Sequence, residues 1–149
     1  MEVVMPATIL AFLGIPIGIV VTYFARDELE TIKKTNLYLK QFTLFATFFS
    51  SAFLFSFSPK FKYALIFLSL TFLLFEMGTK IMFAIFPFYL FSVSEQKNFY
   101  IAASLVFIYA VFCGMALYQK KKKASYYIRP VSRYAHFLVL MLFLLIYAK

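Results

Sequence analysis

The sequence predicts an all-α protein, a polytopic helical membrane bundle of about six transmembrane helices with N and C termini on the outside. Three observations lead there. Of 149 residues, 64% are hydrophobic and 14% charged, whereas a soluble domain carries roughly a quarter of its residues charged to cover its surface. The apolar residues come in long runs separated by short clusters of charge, as in a chain that meets lipid repeatedly. The Lys and Arg residues of those clusters fall unequally on alternate sides once the runs are counted as crossings. Residues 1–149 then make a single integral membrane domain, with no length left for a folded soluble one.

The first run, residues 3–25, reads "VVMPATILAFLGIPIGIVVTYFA". At about 1.5 Å per residue it crosses a hydrocarbon core of about 30 Å. It has no basic leader and no small-x-small cleavage site, so it is expected as a retained span and not a signal peptide. "RDELETIKKTNLYLK" follows, with Arg26/Glu30 and Glu30/Lys34 four residues apart and Leu29 and Ile32 on one side. That spacing predicts a short interfacial helix, or a continuation of the first span beyond the lipid.

The second span is expected at residues 41–58, closed by Pro59 in "SPKFK". The next apolar stretch, residues 63–93, is interrupted only by "EMGTK" at 76–80. As one helix it would be about 46 Å long, too much for ordinary tilt. Two spans, 61–78 and 80–97, fit better. Gly78 suits a helix end and Thr79 the cap of the next helix, so Glu76 and Lys80 are expected to flank a tight cytoplasmic hairpin. The weak element is the fourth span, since residues 81–93 cover only about 20 Å unless "SEQKN" continues the helix, and a re-entrant segment is the alternative there.

Basic residues test the split. With six spans, about eleven Lys and Arg share the side holding residues 26–40, Lys80 and 119–133, against about four on the other, Lys60, Lys62, Lys97 and Lys149. With five spans the best division is about eight against six and strands Lys80 in lipid. The fifth span, residues 99–118, carries Ala103, Ala110 and Gly114 at helical spacing, a stripe on which another backbone can lie. A basic turn follows, "QKKKKASYYIRPVSR", in which Pro130 is expected to interrupt any helix and Tyr126 and Tyr127 to sit at the interface. The last span is residues 132–148.

Few residues offer chemistry. The lone Cys113 excludes an intramolecular disulfide, and with one His a metal site built on these two residue types is not expected. "MGTK" has the letters of a phosphate loop in the wrong order, and neither G-x-S-x-G nor H-E-x-x-H occurs. No enzyme and no cofactor is expected. Glu76, Lys80 and His136 are the candidate intramembrane or interfacial polar site, because ionisable groups within spans are commonly functional; for Glu76 and Lys80 the hairpin boundary is the preferred reading. Lys120, Lys121, Lys122, Lys123, Arg129 and Arg133 form a topogenic cluster that also attracts anionic lipid headgroups, in preference to nucleic acid. Gly14, Pro16 and Gly18 in "GIPIG" match helix-contact spacing, and packing within the protomer is preferred over a homodimer seam.

Residues 14–38, "GIPIGIVVTYFARDELETIKKTNLY", resemble the first span and following loop of small uncharacterised multi-span membrane proteins found mainly in archaea. Ala25, Asp27, Glu28 and Leu29 match their acidic element, while Ile32 or a neighbour stands where they carry Gly and Tyr38 lies late. The resemblance implies a compact all-helical membrane fold and no particular activity. The expected role is that of a small non-enzymatic subunit or accessory protein that meets other membrane subunits or itself through helix contacts, in a prokaryotic cell membrane with the basic loops cytoplasmic. The alternative is a small transporter or channel built from two inverted three-helix halves, with "LGIPIG" and "AIFPFYL" as the interrupted helices.

Overall fold

The computed structural model describes residues 4–74, 79–93, 95–118, 125–132, 134–135, 139–140, 143–144 and 146. All regular structure among them is helical. α1 (Val4–Phe24) is built from Ile, Val, Leu and Phe and runs through Pro16 without ending. Pro16 removes one intrahelical donor, which leaves the carbonyl of Phe12 without its usual partner but does not stop the helix. A single 3₁₀ turn (Arg26–Glu28) reverses the chain.

α2 (Leu29–Leu54) then runs unbroken for 26 residues, about 39 Å. The charged segment is therefore neither a separate helix nor a continuation of α1, the two alternatives expected for it, but the first turns of the helix that carries the second apolar run. Between Leu29 and Leu54 there is no Gly or Pro, so the change from charged to apolar side chains near Lys40 is not a change in backbone. α2 ends at Phe55, which is extended. Pro59 opens α3 (Pro59–Leu74), where its missing N–H is one the first turn does not use.

α4 (Thr79–Ser92) contains Pro87 and spans about 21 Å. It stops at Ser92, so "SEQKN" does not extend it. Instead Gln96, Phe99 and Ile101 donate to carbonyls three residues back, a chain of tight turns leading into α5 (Phe99–Leu117). α6 (Ser125–Ser132) includes Pro130, where a helix interruption was expected; in a helix this short the proline costs a single backbone bond. Beyond it, the described residues 139–140, 143–144 and 146 are helical and Tyr134 is buried. Residues 75–78, where the Glu76–Gly78 part of the hairpin falls, lie outside the described residues, as does most of the last expected span.

Packing fixes the directions of the helices. α1 and α5 form the most extensive pair and run parallel: Gly14 lies over Phe107 and Ala110, Gly18 over Val111 and Met115, and Tyr23 meets Tyr118 at 6.4 Å. α2 runs antiparallel to α5, with Asn36 bonded to Phe112 near one end and Leu54 to Asn98 at the other. α2 and α4 point the same way, since Phe48 and Ser51 meet Tyr89 while Leu54 meets Asn98 beyond the end of α4. The core between them is filled by Met82, Phe83, Phe86, Leu90, Val106 and Tyr109, all fully buried. Tyr134 closes it against Phe83 at 5.0 Å. Among the described residues, Met5–Phe24 and Phe99–Leu117 are long and apolar enough to cross a membrane, and Ile81–Ser92 is a shorter apolar helix.

Candidate functional site

Three features concentrate the informative side chains. The first is the α1–α5 seam. A Cβ added at Gly18 would collide with the carbonyl oxygen of Val111, and one at Gly114 with that of Ile15. At Gly14 it would come within 2.6 Å of the Phe107 carbonyl oxygen and 2.8 Å of the Ala110 Cβ. Backbones approach this closely only where both sides lack side chains, so each helix presents small residues to the other. Ala103 and Ala110 are buried on α5 alongside Gly114. Thr22, one turn along from Gly18, turns its buried hydroxyl back onto the Gly18 carbonyl at 2.9 Å. The stripe of Gly14 and Gly18 is therefore covered from within the protomer and offers no surface to a second copy.

The second feature is a buried polar stripe along α2 that hydropathy conceals. Asn36, Thr43, Thr47 and Ser51 recur at intervals of seven, four and four and are all buried. Each hydroxyl has a partner. Thr43 donates to the Leu39 carbonyl and Thr47 to the Thr43 carbonyl, both at 2.7 Å. Ser51 bonds the Thr47 carbonyl and shares a short hydrogen bond with the Tyr89 hydroxyl of α4. Asn36 donates through Nδ2 to the Phe112 carbonyl at 2.8 Å, tying α2 to α5. Its Oδ1 is buried, at 3% residue exposure, with no hydrogen-bond partner; such an atom costs about 1–3 kcal/mol unless water or a ligand satisfies it. Lys40, half-buried, stands on the same face between Asn36 and Thr43.

The third feature is a cleft of about 370 Å³ between α2, α3 and α4. Its walls are Phe48 from α2, Phe61 and Leu65 from α3, and Ile85 and Phe88 from α4, with Ser92 at the α4 end. Tyr89 contributes its ring, because its hydroxyl is turned toward Ser51.

No family model, no curated protein and no solved structure matches this chain. Function therefore rests on its own geometry. Among the residues singled out from the sequence, Glu76, His136, Lys120, Lys121, Lys122, Lys123 and Arg133 lie outside the described residues, and so do the side chains of Lys80 in α4 and Arg129 in α6. The structure brings together Gly14, Gly18, Ala110 and Gly114. Among the described residues no three His, Cys, Asp or Glu side chains cluster as a metal site. The α2 stripe was missed by sequence reasoning because Thr and Ser scattered among Phe and Leu barely lower an averaged hydropathy. Its helical spacing was the signal that could have found it.

Proposed function

We propose that this chain is a six-span integral membrane protein that serves as a small non-enzymatic subunit or accessory protein, meeting its partners through apolar helix faces. One observation carries the reading: the buried hydroxyls of α2 are already bonded, to carbonyls one turn back on α2 and, through Ser51, to Tyr89 of α4, while the outer faces of the bundle remain broadly apolar. Leu10, Val20 and Phe24 on α1 and Tyr63 and Phe67 on α3 are exposed, which suits lipid or another helix and not water.

The parallel seam supports the span count. If α1 and α5 both cross the bilayer in the same direction, the chain must cross it an odd number of times between them, as α2, α3 and α4 do. A single span made of α3 and α4 would leave α5 antiparallel to α1. The same arithmetic weighs against a re-entrant α4. The outward termini and the cytoplasmic placement of the basic segments, with anionic headgroups held near residues 119–133, follow from the charge distribution. A prokaryotic cell membrane and the compact membrane fold implied by the resemblance at residues 14–38 belong to the same proposal.

Purification in gentle detergent with identification of stoichiometric companions tests the role: a stable larger membrane partner supports it, and a monodisperse lone protein that moves solute across liposomes overturns it. For topology, Thr79→Cys and Ser125→Cys should label from the same side of the membrane; labelling from opposite sides removes the six-span arrangement.

A transport reading is kept by one observation, the unpartnered Oδ1 of Asn36 on the same face as Lys40. Two others weigh against it. Pro16 and Pro87 lie inside continuous helices where interrupted ones were expected. An inverted repeat would also make α2–α4 as extensive as α1–α5, yet among the described residues α2 and α4 meet mainly around Tyr89.

A further inference from the structure

We propose that the cleft between α2, α3 and α4 holds one acyl chain of an anionic membrane lipid, whose headgroup rests on Lys60, Lys62 and Lys97. The inference rests on the membrane location proposed above and concerns a different surface from the partner contacts.

The lining sets the chemistry of the tail. Phe48, Phe61, Leu65, Ile85 and Phe88 make the cleft apolar, and the hydroxyls of Tyr89 and Ser92 on its wall are engaged with Ser51 and with the Tyr89 carbonyl. Water has little to bond there, so the space is filled by hydrocarbon or left empty. The gap is irregular, bounded by rings from three helices, and a flexible methylene chain conforms to such a space.

The charges at one end set the chemistry of the head. Phe61, a wall of the cleft, is flanked in sequence by Lys60 and Lys62 in the first turn of α3. Ser92, another lining residue, ends α4 just before the turn that carries Lys97. Asn98 donates to the Leu54 carbonyl at 3.1 Å, which brings that turn to the same end of the bundle as the α2–α3 connection. Lys60 and Lys97 are exposed and Lys62 half-buried. Glu95 is the exposed carboxylate in the same turn, and the three ammonium groups outweigh it. α4 is also short, about 21 Å against a hydrocarbon core of about 30 Å. The bilayer thins beside such a helix, drawing headgroups toward the turn, and lysines reach upward to meet them.

The test uses the full chain in bilayer discs of phosphatidylcholine containing a minor share of phosphatidylglycerol, with retained lipid read by native mass spectrometry after mild release. The expected result is one phosphatidylglycerol per chain, enriched about tenfold over its share of the bilayer, as a cluster of lysines at a membrane surface would give. Ala64→Phe, which projects a ring into the cleft, should abolish retention. If that variant does not elute as a folded species, Leu68→Trp at the cleft wall replaces it. Lys60→Gln, Lys62→Gln and Lys97→Gln together should keep a retained lipid but lose the headgroup preference. Retention in proportion to bilayer composition, or retention unchanged by a folded cleft-filling variant, overturns the proposal. A protein that stays soluble and folded without detergent or lipid would instead overturn the membrane reading.

Discussion

The α1–α5 seam and the α2–α3–α4 cleft are both lined by apolar side chains and pack in opposite ways. In the seam, Gly14, Gly18 and Gly114 let one helix backbone rest on the other. In the cleft, α2 and α3 pack on each other while α4 stands off from both, and Phe48, Phe61 and Phe88 line the gap left among them. Both linings are apolar, and what sets the packing apart is side-chain volume at the facing positions. In a membrane, where burying hydrocarbon away from lipid gains little, close contact is the main source of helix association. The seam is therefore where the bundle is held, and the cleft is where it has room for something else.

The sharpest way to break this contrast is to give the seam a side chain. Gly18→Leu places carbon where the Val111 carbonyl and the Met115 amide already stand. We expect a loss of about 3 kcal/mol or more, since overpacking a tight site costs about 1–3 kcal/mol and here the obstacle is backbone that cannot rotate away. Unfolding in mixed detergent, followed by circular dichroism, measures it. Gly14→Ala should cost less, about 1–2 kcal/mol, because part of what it meets is the Ala110 methyl group. If the two variants cost the same, backbone approach is not what holds the seam.

These same residues show what was legible before the structure. Small residues at Gly14, Gly18, Ala110 and Gly114 are local facts, visible in the spacing, and they mark where a backbone can come close. Which helix comes, and in which direction, is a property of the whole chain and cannot be read from either stripe alone. The helical class follows directly from the apolar runs. The limits of α2 do not, because a change of polarity at Lys40 says nothing of backbone continuity, which depends on Gly and Pro, and there are none between Leu29 and Leu54. Pro16, Pro87 and Pro130 mislead in the opposite sense, each a local breaker overridden by the surrounding helix. Asn36 falls in the charged segment expected at the interface, and only its reach to Phe112 reveals it as an internal tie.

A smaller effect separates polar from steric glue. Ser51 and Tyr89 form the described side-chain hydrogen bond linking α2 to α4. In a double-mutant cycle with Ser51→Ala and Tyr89→Phe, the coupling should be about 0.6 kcal/mol, the average for such bonds within membranes. Coupling as large as the cost of Gly18→Leu would mean that hydroxyls, not glycines, hold this bundle.

The smallest effect is the most telling about the cleft. Ala64→Leu adds methyl groups to a space already open, and filling a cavity commonly stabilises by about 0.5–2 kcal/mol. In lipid-free detergent we expect the low end of that range, about 0.5 kcal/mol, because Ala64 lies at the exposed edge of the cleft. With phosphatidylglycerol restored, the gain should vanish or reverse, since the new side chain then displaces a bound chain instead of filling a void. The seam offers the control. Gly14→Ala meets only protein atoms, so its cost should be the same with and without lipid. A lipid-dependent change at Ala64 beside a lipid-independent one at Gly14 assigns the two regions their different occupants; equal behaviour at both would make the cleft an ordinary packing defect.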